Sequence, residues 1–335
     1  MATRRCYPTI LTTLANTASV KLRLSLSRCS KASFSSVTST KSRHGPRIKL
    51  PPKSWDSHMH VMEPQYPVVA DAAYKPTTPH SIDEGMTFES SLGIENVVLI
   101  QPSIYGFDNS CLLDALQRIG PSRGRGVVVI DPANTDKTAL DKWHSLGVRG
   151  VRVNFKSAGQ VPSRNELERI LSDHARLIRP LSWGIQIHTA METIPLLEGI
   201  VPQLGLKVCI DHFGGPDLTN VIYRRETFDP YTLPGFSSLI ALLKGGRTYV
   251  KISAPYRLSK DDGLRDLEVM MREFLRHAPE RVLYATDWPH TRFSNVNIEP
   301  FTALCLRACG TKALAERVFR LNAEELMGSA HCPAI

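Results

Sequence analysis

The sequence predicts a (β/α)8 TIM barrel, and three observations carry that prediction. Eight short apolar stretches recur from residue 55 onward and alternate with stretches of helical spacing. Several of them are near-continuous aliphatic runs, such as Val97-Val98-Leu99-Ile100 and Val127-Val128-Val129-Ile130, which suit strands buried on both faces of a parallel sheet. Polar and titratable residues then collect where those stretches end, the edge on which a barrel gathers its functional groups. A doubly wound open sheet is the main rival, but no Gly-x-Gly-x-x-Gly phosphate loop follows the first stretch.

The chain begins with residues 1–50, rich in Arg, Ser and Thr and without an acidic residue. Residues 15–27 can form a short basic amphipathic helix, and Pro46, Pro51 and Pro52 mark a linker. These are the features of a mitochondrial transit peptide. We therefore expect a disordered leader over 1–50, one catalytic domain over 51–335 and a mitochondrial matrix location. The leader also accounts for the net charge of +9. Eleven basic residues precede Asp56, the first acidic one, and the remainder holds 30 basic against 32 acidic residues. Such a nearly neutral body gives no reason to expect a nucleic-acid partner. No apolar run approaches the roughly 20 residues of a membrane-spanning helix, so the chain reads as soluble with no membrane partner. The seven cysteines are scattered and odd in number, which fits a reducing compartment and no disulfide framework.

Strands are expected at 55–61, 96–102, 126–131, 148–155, 184–189, 207–213, 248–254 and 281–288. Helices are expected at 80–92, 109–119, 138–146, 164–181, 191–203, 235–243, 264–277, 300–309 and 312–327. The apolar stripe Leu167, Ile170, Leu171, Ala175 and Ile178 is the clearest of the helical patterns.

The first strand ends in His58 and His60, which share a face because strand side chains alternate. Alone, a His-x-His pair is a common pattern. The other strand ends add to it. The second offers Gln101 and Ser103; the fourth Arg149, Arg152, Asn154 and Lys156; the fifth His188; the sixth Asp211 and His212. Arg257 follows the seventh, and the eighth ends in Asp287, Trp288 and His290. His58, His60, His188 and Asp287 make a three-nitrogen, one-oxygen donor set suited to Zn2+ with an open position for water. Water on such a metal is acidified towards about pH 7. His212 is a candidate general acid or base, its ordinary pKa of about 6.5 being close to working pH.

Four strings carry a family resemblance: Asp56-Ser57-His58-Met59-His60, Gly147-Val148-Arg149-Gly150-Val151-Arg152, Asp211-His212-Phe213-Gly214-Gly215-Pro216-Asp217 and Thr286-Asp287-Trp288-Pro289-His290. From about Trp55 to Gly328 the chain resembles the amidohydrolase-2 branch of the metal-dependent amidohydrolase superfamily. Within that branch it is similar to the 2-pyrone-4,6-dicarboxylate lactonases. The resemblance implies that Tyr74, Ser103, Arg152 and Arg257 surround a planar lactone bearing carboxylates, which arginine grips in two-pronged fashion. Two departures stand out. Ala158 occupies the place of a second lactonase arginine, so one carboxylate is absent or is held by Lys156 or Arg164. His188 replaces a tyrosine of the lactonases, which work without a metal, and aligns the site with zinc-dependent relatives.

The leading expectation is a hydrolase that opens a carboxylated small-molecule lactone. Asp287 takes the proton of the attacking water and returns it to the leaving oxygen, and His212 stabilises the oxyanion. Non-oxidative decarboxylation of a muconate-like or aromatic acid at the same metal is the alternative. A barrel kept only for binding is the third reading. The oligomeric state is left open.

Overall fold

The computed structural model describes residues 48–72, 74–157, 159, 161–219, 221 and 228–329. Nearly all of the expected leader, and Ala158, lie outside the described residues. From Trp55 the chain runs β1 (Trp55–Met59), α1 (Ile82–Leu92), β2 (Asn96–Ile100), α2 (Ser110–Ile119), β3 (Gly124–Val128), α3 (Lys137–Leu146) and β4 (Val148–Asn154). It continues through α4 (Arg164–Ile178), β5 (Gly184–His188), α5 (Ile194–Leu197), β6 (Val208–Ile210), α6 (Phe236–Lys244) and β7 (Thr248–Ile252). Then come α7 (Pro255–Leu258), α8 (Arg265–His277), β8 (Val282–Tyr284), α9 (Glu299–Cys309), α10 (Lys312–Glu316) and α11 (Asn322–Leu326).

All eight strands are parallel and pair in sequence order from β1 to β8. The last returns to the first just past its regular end. Asp287 N donates to His58 O at 3.0 Å, and His60 N donates to Trp288 O at 2.8 Å. The TIM barrel expected from the sequence is therefore the fold observed, and its closing seam carries two of the histidines and the carboxylate picked out above.

Alternation of side chains sorts each strand into two cores. Val97, Leu99, Val250 and Ile252 join the layer between sheet and helices, whereas Val98, Ile100 and Tyr249 fill the barrel interior. The N-terminal half of that interior is apolar, built from Trp55, Val98, Ile100, Val127, Cys209, Tyr249 and Leu283. Ala323, Leu326 and Met327, on and just after α11, plug it from below. Asp211 and Lys251 stand two residues above Cys209 and Tyr249 on their strands, so they point inward on top of that plug.

β1 does not follow regular alternation. Asp56 pairs with Val97 and Met59 with Leu99, so three steps on β1 match two on β2. This bulge lets both Trp55 and His58 point inward although they are three positions apart. From His58 onward the two-residue period holds, which puts His60 beside it.

Helix boundaries agree with expectation where a local signal exists. Ser81 caps α1 and Ser163 caps α4, each in a reciprocal capping box with the glutamate three residues on. The expected helix over 191–203 breaks instead into two 3-10 turns flanking a one-turn α5. Pro195 and Pro202 lack the amide protons that would extend it. The expected helix over 312–327 contains a π-turn, Arg317–Leu321, between α10 and α11. Among the described residues no helix is long and apolar enough to cross a membrane.

Candidate active site

A cleft at the C-terminal mouth of the barrel holds about 440 Å3 of empty space, part of it open to solvent. His60, Tyr74, Ser103, Arg152, His188, His212, Arg257 and Asp287 all line it. His58 is fully buried beneath. The candidate catalytic, substrate and metal residues thus converge on one place, whereas Arg149 of the fourth strand lies outside it and donates to His144 O and Val148 O.

Asp287 is the hub. It sits on a left-handed backbone (φ 63), as do His212 (φ 49) and Ala254 (φ 56) at the ends of the two preceding strands. Non-glycine residues adopt this conformation at a cost of about 1–3 kcal/mol, retained where the surroundings over-determine it. The two carboxylate oxygens face different partners. Oδ2 accepts from the Tyr256 hydroxyl at 2.5 Å and pairs with Arg257 at 3.2 Å. Oδ1 looks into three imidazoles, 3.6 Å from His58 Nε2, 3.8 Å from His60 Nε2 and 3.9 Å from His212 Nε2. Burial raises the Asp287 pKa from its ordinary carboxylate value, and Arg257 and Tyr256 oppose that rise.

The histidines are held neutral. Burial drives His58 and His212 well below the ordinary imidazole range and His60 down to about 3. Their other ring nitrogens are engaged. His60 Nδ1 donates to Ile100 O at 2.8 Å, which leaves a lone pair on Nε2. His58 Nδ1 lies 3.3 Å from Asp211 Oδ1, and His212 Nδ1 lies 2.7 Å from the Ser253 hydroxyl. With His58 donating to Asp211, two imidazole lone pairs and a carboxylate oxygen converge, the Nε2 atoms only 3.3 Å apart. So electron-rich a set calls for a cation or a proton between its members. His58, His60 and Asp287 each offer a ligand atom within 4.8 Å of the others, as do His58, Asp211 and His212. The donors fit a divalent metal by number and type.

His188 belongs to neither cluster. Its Nδ1 lies 3.1 Å from Asn154 Oδ1 and 3.5 Å from Arg152, and its ring meets that of His212 edge-on at 5.1 Å. The four-donor set expected from the sequence is thus three close donors with His188 beside them. Arg152 and Arg257 arrive already partnered, by Asp211 at 3.4 Å and by Asp287. Tyr74 donates to Met62 Sδ at 3.3 Å. Lys156 and Arg164, the expected substitutes for the arginine missing at Ala158, do not line the cleft. Lys156 donates to Gly215 O at 2.9 Å, and the Arg164 guanidinium packs beside Gly199 after α5.

The strand-end pattern singles out no role for Asp211 or for its partners Gln186 and Lys251. Asp211 lies fully buried on the barrel floor. Gln186 donates to it at 3.1 Å, and Lys251 approaches within 3.6 Å while donating to Gln186 Oε1 at 2.6 Å. Burial alone would push Asp211 up, but His58, Lys251 and Arg152 hold it well below the carboxylate range. A lysine between Val250 and Ile252 was the available signal, since buried lysines are rare without a partner. Behind the seam, Asp56 accepts from Thr286 N at 3.0 Å and from the Thr286 hydroxyl at 2.5 Å, and that hydroxyl also lies 3.3 Å from buried Glu89. Burial raises Asp56 to about 6 and Glu89 well above its usual range.

Comparison with known proteins returns the same architecture and chemistry. The amidohydrolase family model matches residues 55–328. The 4-sulfomuconolactone hydrolase of Hydrogenophaga intermedia is 30% identical over 292 residues, 84% of this chain and 91% of the relative. The 2-pyrone-4,6-dicarboxylate hydrolase of Comamonas testosteroni is 30% identical over 258 residues, 73% and 79% of the two chains. A Pseudomonas putida structure named for 2-pyrone-4,6-dicarboxylic acid hydrolase activity superposes with a TM-score of 0.68 at 30% identity, covering 84% of this chain and 99% of its own. A Burkholderia multivorans amidohydrolase with bound zinc shares the fold at a TM-score of 0.65 and 16% identity, over 82% and 99% of the two chains.

Proposed function

The chain belongs to the amidohydrolase family, and from that premise we propose that it opens a carboxylate-bearing lactone by adding water to the ring ester. The two relatives at 30% identity are named as a sulfomuconolactone hydrolase and a pyrone-dicarboxylate hydrolase, which favours ring opening over decarboxylation at the same residues. The observation that carries the proposal is the two-sided setting of Asp287. One oxygen is fixed by Tyr256 and Arg257, and the other is left free among neutral imidazoles at the floor of the cleft.

The residues divide the work as follows. Arg152 and Arg257 orient the substrate from the wall of the cleft, Arg152 gripping a carboxylate. Asp287 Oδ1 accepts the proton of the attacking water as the new C–O bond forms at the ester carbon, and burial raises its affinity for that proton. When the Ser253 hydroxyl donates to His212 Nδ1, His212 carries its own proton on Nε2, towards Asp287. In that tautomer it donates to the oxyanion. The ring C–O bond then breaks, and the proton held by Asp287 passes to the leaving oxygen, giving a hydroxy acid. We assign the metal position to His58, His60 and Asp287 and the metal to zinc, with His188 beside it. Bound there, the ion would supply Lewis acidity for the carbonyl and lower the pKa of water.

The test is a pH-stat assay of 2-pyrone carboxylates beside a CO2-release assay of muconate-like and aromatic acids. Acid production that matches loss of the lactone, with no CO2, is the expected result; CO2 release without acid production reverses the assignment. We further propose that residues 1–50 direct mitochondrial import, which a fluorescent fusion of that segment confirms or, by staying cytosolic, refutes.

A further inference from the structure

Three of the cationic groups around the mouth have their charge answered within the protein. Arg152 pairs with Asp211 and Arg257 with Asp287. Lys156 is held by Gly215 O in the field of Glu192 and Asp217. Arg292 differs. It lines the same cleft from the turn after β8, is exposed, and forms no ion pair among the described residues. Its guanidinium carbon lies 5.4 Å from the Tyr74 ring centroid, so the cation rests against the aromatic wall of the cleft. The backbone keeps it there. Arg292 has φ 67 and His290 φ 62, His290 N donates to Asp287 O at 2.9 Å, and Phe293 N donates to His290 O at 2.9 Å. The side chain thus projects from a turn tied directly to Asp287.

Two further observations bear on what it meets. Across floor and mouth, Arg152, Lys251, Arg257 and Arg292 face only two carboxylates, Asp211 and Asp287, which leaves the site short of two negative charges. Arg152 rises from β4 and Arg292 follows β8, half a turn apart in a barrel ordered β1 to β8. An anion held by each would sit at opposite ends of a substrate that spans the mouth.

We propose that Arg292 is the outer anion anchor of the site: it binds a second carboxylate, opposite the one held by Arg152, and makes a dicarboxylated lactone the preferred substrate. This rests on the lactone reading above and deepens it. The guanidinium is free before substrate arrives, so it gives up no internal ion pair on binding. Stacking on Tyr74 limits the freedom lost when it closes on the carboxylate.

The experiment compares wild type, R292A and R292K in the full-length protein. Calorimetry with the non-reacting probes isophthalate (two carboxylates) and benzoate (one) runs beside turnover of 2-pyrone substrates carrying two carboxylates or one. For R292A, isophthalate affinity should fall about 30-fold and KM for the dicarboxylated lactone should rise in step, with R292K recovering part of both. Losses on the single-carboxylate partners should be several-fold smaller. Equal losses on both kinds of ligand, or none on either, overturn the proposal. An Arg292-dependent preference for isophthalate in a protein that turns over no lactone would uphold the anchor while rejecting the lactone reading. Lactone turnover with an isophthalate affinity indifferent to Arg292 would do the reverse.

Discussion

Asp211 and Asp287 end strands β6 and β8, lie buried in the same barrel and meet the same His58, yet their surroundings pull them in opposite directions. Asp211 is the carboxylate of the floor. Lys251, Arg152, Gln186 and the His58 ring compensate it from several sides, and its pKa is held well below the usual range. Asp287 is the carboxylate of the mouth. Its compensation comes to one oxygen only, burial prevails, and its pKa is raised. A carboxylate with positively charged or polar groups set against both oxygens stays charged and inert, serving as a fixed counter-ion. One satisfied on a single side is left able to take a proton. Environments that push two acids apart in this way are how one site separates a structural charge from a reactive one.

That contrast can be broken at either end. The largest effect is expected for Asp287→Asn, which keeps the shape and removes the basicity. Turnover of a lactone substrate should fall about 1000-fold. The melting temperature should fall less than in Asp211→Asn, because the amide escapes the desolvation that raises the Asp287 pKa, which offsets the lost Arg257 ion pair. Asp211→Asn should show the opposite emphasis. It strands Lys251 and Arg152 in the interior, and removing one partner of a buried pair costs about 3–5 kcal/mol. Thermal or urea unfolding should register that loss directly.

The smallest effect concerns the acids behind the seam. The folded pKa of Asp56 is raised to about 6. The fold therefore holds that proton more tightly than the unfolded chain does. The resulting stabilisation is fully present below an unfolded pKa of about 4 and is lost as pH rises through about 6. Glu89, raised further, extends the same trend upward. Glu89→Gln removes one of the two buried acids, so it should flatten the decline in melting temperature on the alkaline side and raise stability at pH 8 by a few degrees. A variant with the wild-type slope would show that Glu89 does not contribute to the decline.

Much of this was legible in the sequence because the signals are local. Aliphatic runs such as Val97–Ile100 mark strands buried on both faces, and His58, His60, His212 and Asp287 stand where those runs stop. What stayed hidden depends on register and on long-range pairing. The β1 bulge leaves no mark on residues 55–61, since it exists only against β2. Lys251 meets His58 across 193 residues, a contact set by barrel closure alone. Tyr256 reaches Asp287 from α7, a four-residue helix too short for any periodicity to announce. Arg292 follows the last strand in a turn whose left-handed backbone no spacing rule foretells.

The central claim, that Asp287 is the proton acceptor and that its environment sets its pKa, is tested most directly by the pH dependence of kcat/KM on a lactone substrate. The comparison is between wild type and Tyr256→Phe. The base works only when deprotonated, so activity must fall as pH drops through its pKa. In wild type this acid limb should lie above the ordinary aspartate value of about 4. The Tyr256 hydroxyl bond stabilises the charged form, so its removal should move the limb to higher pH. An acid limb in the usual carboxylate range, or one that stays in place or moves down in Tyr256→Phe, would contradict the account.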